Sequence, residues 1–412
     1  MTESRARSAV ERAARESFGR LVAFLASRSG DIAAAEDALA QAFKTALERW
    51  PRDGVPSNPD AWLLTAARRR LLDVHRHARV TAEAADRLRQ VQEEAQAMAE
   101  RGAFPDDRLK LMFACAHPAL DPNVRTPLVL QAVLGLDSAR IASAFLVSPD
   151  AMMKRLTRAK LRLREAGVAF SHPRDEDLPD RVEDVLAAIY AAFTLGSDDR
   201  SAEVRGEALA EEAIWLARVA AELLPSEAEA KGLLALLLFS FARADARRDD
   251  AGAYTPLESQ DTSLWSEPLI REAETVLRAA GRLGKPGRYQ LEAAIQAVHA
   301  DRRRTGSTDW KAIVNLYDAL LHVAPSLGAH VARAAAISKA GDPEAALAAL
   351  EAAGDPRIDG YQPYWATRAH VLETLGQAAP AALAYARAAG LTEDAAVREY
   401  LLSKRARLAR VR

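Results

Sequence analysis

Two short stretches of the chain hold most of the chemistry its side chains could perform. Trp62–Val80 carries Arg68, Arg69, Arg70, Arg76 and Arg79 against one acid, Asp73. Pro149–Arg164 carries Lys154, Arg155, Arg158, Lys160, Arg162 and Arg164 against Asp150. A guanidinium neutralises phosphate oxygens and can also pair bidentately with a base edge. One such run reads as a solvated helix face. Two of them, each behind a helix-entry motif, point to DNA. Trp62 adds a flat apolar surface at the start of the first stretch: it either packs in the core or stacks on an unpaired base, a contact worth ~1–3 kcal/mol. His75 and His77 in the same stretch either add phosphate contacts or face solvent.

The remaining constellations offer less. Cys115-Ala-His117 matches no standard thiol–imidazole or metal spacing and follows Leu111, Met112 and Phe113, so it reads as buried structure. His299, within an Ala-rich apolar run, reads as a core histidine. No phosphate-binding loop, nucleophile elbow or His-Glu-x-x-His occurs, and Tyr190, Asp261, His299, Asp359 and Tyr361 make no known motif. The expectation is a chain with no catalytic residues, no metal and no cofactor, and not an enzyme.

Both basic stretches need helices to present them. Apolar residues recur at three- and four-residue steps, Ala is abundant and β-branched alternation is lacking, so the expected fold class is all-α. Ala35–Trp50 places Leu39, Phe43, Leu47 and Trp50 on one stripe of a helix, and Asp37, Gln41, Lys44 and Glu48 on another; Pro51-Arg-Asp-Gly54 should stop it. Asn58 can cap the next helix, with Pro59 at its first position and Asp60 complementing its positive end. That helix should run to about His77, burying Leu63, Ala66, Ala67, Leu71 and Val74. Arg69 and Arg76, seven apart, share a face that Arg79 continues. Further on, Asp137–Phe145 is a short helix, Leu146–Pro149 a tight connection, and Pro149–Glu165 a helix capped by Ser148. This is helix-turn-helix grammar. Met152, Leu156, Ala159 and Leu163 should face the core, leaving Lys154, Arg158 and Arg162 exposed.

Charge supports the same division. The 412 residues carry a formal net charge of −1, but residues 1–170 hold 27 basic and 21 acidic side chains, while the rest hold 29 and 36. A near-neutral total thus averages a basic half with an acidic one. The polar, proline-bearing stretch at 171–179 looks like the boundary, and Gln- and Glu-rich 82–102 like a linker. The lone Cys115 excludes a disulfide framework and fits a reducing cytoplasm; no apolar run approaches the ~18 residues of a membrane helix, and the N-terminus lacks the apolar core of a signal peptide. In the acidic half, Arg333–Gly341 matches Arg368–Gly376 at an offset of 35 positions, each followed by an Ala-rich helix. A period near ~34 is the tetratricopeptide signature, and stacked pairs of this kind offer a surface to a protein or peptide.

With these residues in view, Ala35–Trp50 followed by Asn58–Asp73 resembles region two of extracytoplasmic-function sigma factors, and Asp137–Arg164 resembles their region four. Gly287–Ala300, Asp309–Asp318 and Asp359 through Ala369 are similar to the subgroup with a long tetratricopeptide-like C-terminal extension. The extension departs from the family pattern at Phe193–Ser197, Ser259–Thr262 and Ala332–Ala334. The resemblance implies region two at 1–80, a linker at 81–105, region four at 106–170 and the helical extension at 180–412. It implies two partners: core RNA polymerase, through the β′ clamp and β flap, and promoter DNA. Asp37, Gln41 and Lys44 occupy positions that dock on the clamp. Asn58, Trp62, Arg68, Arg69, Arg76 and Arg79 are the candidates for melting the proximal promoter element and capturing a flipped base. Ser148, Asp150, Met153, Lys154, Arg155 and Arg158 are the candidates for reading the distal element in the major groove, with Arg158 and Arg162 on phosphates. The extension is expected to regulate activity through a protein or intramolecular partner. The runner-up is a DNA-binding regulator with a tetratricopeptide sensor that never docks on polymerase; the Asp37/Gln41/Lys44 stripe separates the two.

Overall fold

The structure, a computed structural model, describes residues 2–77, 107–145, 147–171, 178–198, 203–249 and 251–410. The expected linker at 81–105 and Arg79 lie outside them. Among the described residues the elements are helical, with one isolated antiparallel bridge between Arg248 and Tyr254. The chain forms two compact units, Met1–Leu216 and Ala217–Arg412.

The first unit contains α1 (Thr2–Ser29), α2 (Ile32–Asp53), α3 (Pro59–His77), α4 (Arg108–Cys115), α5 (Pro122–Leu134), α6 (Ser138–Ala144), α7 (Pro149–Glu165), α8 (Leu178–Asp198) and the start of α9 (Glu203–Leu223). Its division from the second unit falls at 216/217, beyond the stretch at 171–179 that the composition suggested. The reason is tertiary. In α8, Arg181 donates to the carbonyl of Phe113 and Asp184 accepts from Arg125 at 2.5 Å, so α8 packs on α4 and α5. In α9, Glu212 pairs with Arg140 at 3.1 Å. A polar, proline-bearing stretch marks a break in helix, and not always a break between compact units.

Long α1 organises this unit. Phe24, Val22, Leu21 and Leu25 are fully buried, and α1 packs on α2, α3, α4 and α5. At its C-terminal end Ser27 and Arg28 each donate to Asp107 at 3.0 Å, and Lys110 closes on the same carboxylate at 2.7 Å. Asp107 stands where a helix cap would, yet makes no side-chain cap bond because its oxygens serve these partners. Midway along α1, Gly19 lets α5 approach: a Cβ there would run into the Val133 carbonyl oxygen.

The second unit continues with α10 (Ala228–Phe241), α11 (Glu267–Gly281), α12 (Arg288–Ala300), the single turn α13 (Arg302–Thr305), α14 (Trp310–Val323), α15 (Leu327–Lys339), α16 (Pro343–Glu351), α17 (Gln362–Thr374), α18 (Ala378–Leu391) and α19 (Ala395–Arg410). Helix α10 is apolar on nearly every side and is buried between α11 and α12. Its Glu229 accepts from the backbone N–H of Tyr289 at 2.8 Å and of Gln290 at 3.1 Å, capping α12 from a different helix. Burial raises the Glu229 pKa, against those hydrogen bonds. The two matched segments fall on α15 and α17; each helix is followed by a left-handed glycine, Gly341 (φ 105°) and Gly376 (φ 73°), and then by an Ala-rich helix. Three apolar clusters hold α12 and α14 through α19 together, centred on Ile313 and Leu320, on Val331 and Leu350, and on Leu372 and Tyr385.

Gly19→Ala tests the α1–α5 contact. Helix propensity alone favours alanine by about 1 kcal/mol, whereas the packing predicts a loss of about 1–3 kcal/mol. Thermal and denaturant unfolding of the variant should show the loss; a gain would mean that α1 does not approach α5 at Gly19.

Candidate nucleic-acid interface

Helix α7 presents the second basic stretch. Ser148, with extended backbone, accepts from the Ala151 N–H at 3.3 Å and caps the helix; Pro149 takes the first position. Met152, Leu156, Ala159 and Leu163 are buried, the four residues the periodicity assigned to the core. Ser148, Asp150, Met153, Lys154, Arg155, Arg158 and Arg162 are all exposed. Short α6 precedes α7, started by Asp137, which accepts from the N–H groups of Ala139 and Arg140. Arg155, Arg158 and Arg162 line a cleft of about 850 Å³ together with Phe145 and the Asp121-capped start of α5. Sequence reasoning missed Leu161, which is 41% exposed on the same outer surface of α7. Its position, between Arg158 and Arg162 and off the buried stripe, carried the signal.

Not every cation of α7 faces outward. Lys160 forms a partly buried ion pair with Glu36 of α2, and Arg164 reaches Asp31 at 3.2 Å. Asp31 also caps α2 through Ala34. Burial raises the Glu36 pKa, opposed by Lys160.

On α2, Asp37, Gln41, Lys44 and Glu48 lie along one stripe, and all four are exposed. The opposite face differs from the expected one. It buries Ile32, Ala35, Ala38, Leu39, Ala42, Ala46 and Trp50, while Phe43 is only partly buried and Leu47 is 47% exposed. Small alanines let α1 come close, and the helix turns so that Leu47 borders the polar stripe. The helix also continues past Pro51 to Asp53 and ends at Gly54 (φ 87°), whose N–H returns to the Trp50 carbonyl. Leu47 is thus an apolar element of the exposed surface that the stripe reading assigned elsewhere.

On α3 the candidates separate. The Asn58 side chain accepts from Ala61 at 3.1 Å, which makes it the helix cap, and Asp60 is held by Ser17 at 2.9 Å and by Arg20. Asn58 also lines a cleft of about 510 Å³ with Arg12, Arg20, Ser57 and Arg108. Trp62 is partly buried, edge-on to Trp50 with centroids 5.5 Å apart; both the packing and the stacking expectations share it. Arg69 and Arg70 are exposed, but Arg68 is 7% exposed, and burial lowers its pKa. Leu64, Ala67 and Leu71 are buried beside it on one stripe. Of three consecutive arginines on a helix, turned ~100° apart, one had to face the protein. Arg68 therefore does not share the outer surface of Arg69, contrary to expectation. The Arg76 and Val74 side chains, with those of His75 and His77, lie outside the described residues; Ala66 is only partly buried.

Elsewhere Cys115 is fully buried and its thiol pKa is pushed up by desolvation. His117 accepts from the Ala119 N–H at 3.1 Å; burial and the charges of Arg181 and Arg125 lower its pKa. Among the described residues no group of three or more His, Cys, Asp or Glu side chains could hold a metal, and no helix is long and apolar enough to cross a membrane.

The family model for sigma-70 region 2 matches residues 15–81, and that for sigma-70 region 4 matches residues 110–163. The chain belongs to the sigma-70 family. Region 2 of this sigma factor thus comprises α1 from residue 15, α2 and α3; region 4 comprises α4 to α7. Sigma-70 family proteins are not enzymes, and their partners are core RNA polymerase and promoter DNA. A family of unknown function (DUF6596) matches residues 181–281. An uncharacterized protein of Rhizobium meliloti (strain 1021) is 42% identical over 373 residues, which cover 89% of this chain and 88% of its own. No solved structure matches.

The Glu36–Lys160 pair predicts a signed pH effect. The folded pKa of Glu36 lies above its unfolded value. The stabilisation linked to it is therefore fully present below the unfolded value and lost as pH rises through the folded one. Lys160→Met should cost about 1–3 kcal/mol at neutral pH by leaving a buried carboxylate unpaired. Glu36→Gln should cost less. The Lys160→Met deficit should shrink on acidification, as read by urea unfolding across pH; a deficit that stays constant would contradict the pairing.

Proposed function

We propose that this protein is an alternative sigma factor of the extracytoplasmic-function type, which docks on core polymerase, recognises and melts promoters, and carries a regulatory C-terminal extension. The observation that carries the reading is the two-sided helix α7. It buries Met152, Leu156, Ala159 and Leu163 and exposes Lys154, Arg155, Arg158 and Arg162 behind a capped N-terminus. That is the arrangement a recognition helix needs to enter the major groove, with its first turns at base edges and later cations at phosphates. Ser148, Asp150, Met153, Lys154 and Arg155 take the base-edge role; Arg158 and Arg162 take phosphates.

In region 2 the stripe Asp37, Gln41 and Lys44, with Leu47 beside it, docks on the β′ clamp. A charged stripe with an apolar side chain at its border suits a protein partner better than a nucleic acid. Arg69 engages the promoter backbone together with Arg76 and Arg79, which the family pattern adds. Trp62 offers a ring face for stacking, and the cleft beside Asn58 gives an extruded base a pocket rimmed by arginines. The β flap is the second polymerase contact, through region 4. The extension, with its repeated helix pairs and opposite charge sign, regulates activity through a protein or an intramolecular contact, as a tetratricopeptide-like array would.

Full-length protein should comigrate with core polymerase and give promoter-specific transcripts in run-off assays over a genomic library; failure of both would end the reading. Arg158→Ala with Arg162→Ala should weaken promoter binding and flatten the dependence of log K on log salt by about 0.9 for each phosphate no longer neutralised. Core binding should remain intact. An unchanged salt slope would remove the phosphate role.

A further inference from the structure

In the second unit, two arginines converge on one buried indole. Trp265 is 2% exposed, with Arg302 at 5.0 Å and Arg243 at 6.0 Å from its ring centre. Arg243, just past α10, donates from Nε to the Phe239 carbonyl at 3.5 Å and from Nη2 to Oε1 of Gln296 on α12. Arg302 donates one Nη2 bond to the Gln260 carbonyl at 2.8 Å. His299, in the last turn of α12, lies edge-on to Trp310 at 5.4 Å and feels both guanidiniums. Arg247, bonded to the Ser240 carbonyl at 3.2 Å, adds a third positive charge acting on Arg243.

The charge balance of this cluster is one-sided. Burial, then Arg247 and Arg302, lower the Arg243 pKa to about 10. Burial, then Arg243 and Arg302, lower that of His299 to about 4. Among the described residues no carboxylate enters either balance. Three acids close in the chain are engaged elsewhere, Glu267 with Arg271 and Arg303, Asp301 with Arg304, and Asp261 with the Ser263 N–H, while Asp245 is exposed to water. Guanidiniums gathered at a partly buried site are ordinarily paired with an anion. These hydrogen bonds use only part of the five N–H donors each guanidinium carries, and Arg243, His299 and Arg302 all remain partly exposed.

We propose that Arg243, Arg302 and His299 form a binding site for a phosphate dianion, either inorganic phosphate or a phosphate monoester. Two guanidiniums match a dianion, whereas a carboxylate would leave one charge unbalanced. Their planar forks fit tetrahedral oxygens, and the Trp265 ring holds both in place. His299, neutral at physiological pH, contributes a neutral imidazole. The site does not depend on the sigma-factor reading.

The test titrates the full chain with inorganic phosphate and with glycerol phosphate, against chloride at matched ionic strength. Calorimetry reads binding and NMR reads the His299 imidazole. Saturable binding is expected, with the His299 pKa rising above about 4 as the anion offsets the guanidinium charges, while burial continues to hold it below its ordinary value. Arg302→Gln should weaken binding at least about tenfold, while Arg304→Gln, on the exposed neighbouring turn, leaves it unchanged. Equal affinity for both probes identifies the free ion as sufficient; tighter binding of the ester identifies an esterified ligand, and both support the site. Absence of saturable binding beyond chloride, an unmoved His299, or equal weakening by Arg302→Gln and Arg304→Gln would overturn it. Arg302→Gln removes no bond within a helix, and circular dichroism verifies its fold.

Discussion

Burial of one apolar stripe on a 17-residue helix fixes where its cations point. Met152, Leu156, Ala159 and Leu163 recur at steps of three and four, so the helix has a single rotation that hides all of them. In that rotation Lys154, Arg155, Arg158 and Arg162 have no choice but to face out. The hydrophobic contribution, ~1.5–3 kcal/mol for each large apolar side chain buried, is what holds a repelling row of cations on one surface. Ser148 and Pro149 then set where the helix starts, and so which residues stand in its first turn.

The same helix is not wholly given to the outer face. Lys160 and Arg164, at its C-terminal end, are drawn to Glu36 and Asp31 on the region 2 side. A run of six cations is therefore divided by helix face: Lys154, Arg155, Arg158 and Arg162 stay on the outer surface, and Lys160 and Arg164 pair with acids of region 2. The ion pairs sit within a few residues of Asp37, so the helix expected to meet polymerase and the helix expected to meet DNA share a boundary in this structure. The pairs between Ser27, Arg28, Lys110 and Asp107 act similarly for α1 and α4, using a potential cap residue as a tertiary anchor. Charged groups here join helices that apolar packing has already brought near.

The second unit uses charge differently. Its helices are held by apolar clusters and by exposed pairs such as Arg271–Glu267 and Arg278–Glu274, which contribute little individually. Against that background, the convergence of Arg243 and Arg302 on Trp265 differs because its cations are gathered with no carboxylate of the described residues in their charge balance. An acidic half of the chain thus contains a locally positive site, the inverse of the basic half that holds Asp107.

Much was legible from the amino acids alone. The all-α class, the start of α3 at Pro59, the limits of α7 and its four core residues followed from periodicity and caps, because these are local rules acting over a few residues. The matched segments Arg333–Gly341 and Arg368–Gly376, each followed by an Ala-rich helix, likewise announced two equivalent helix pairs. The rotation of α2 was not legible: Leu47 is more apolar than Ala46, but close approach to α1 favours the smaller side chain, and that preference belongs to the partner helix. Arg68 could have been read from its place between Leu64 and Leu71, and was hidden by the cluster of like residues around it. The unit boundary, the outside cap that Glu229 gives α12, and the meeting of Arg243 with Arg302 could be decided only by tertiary structure. Each joins residues far apart in the chain, and helical periodicity carries no information about which distant face will be its neighbour.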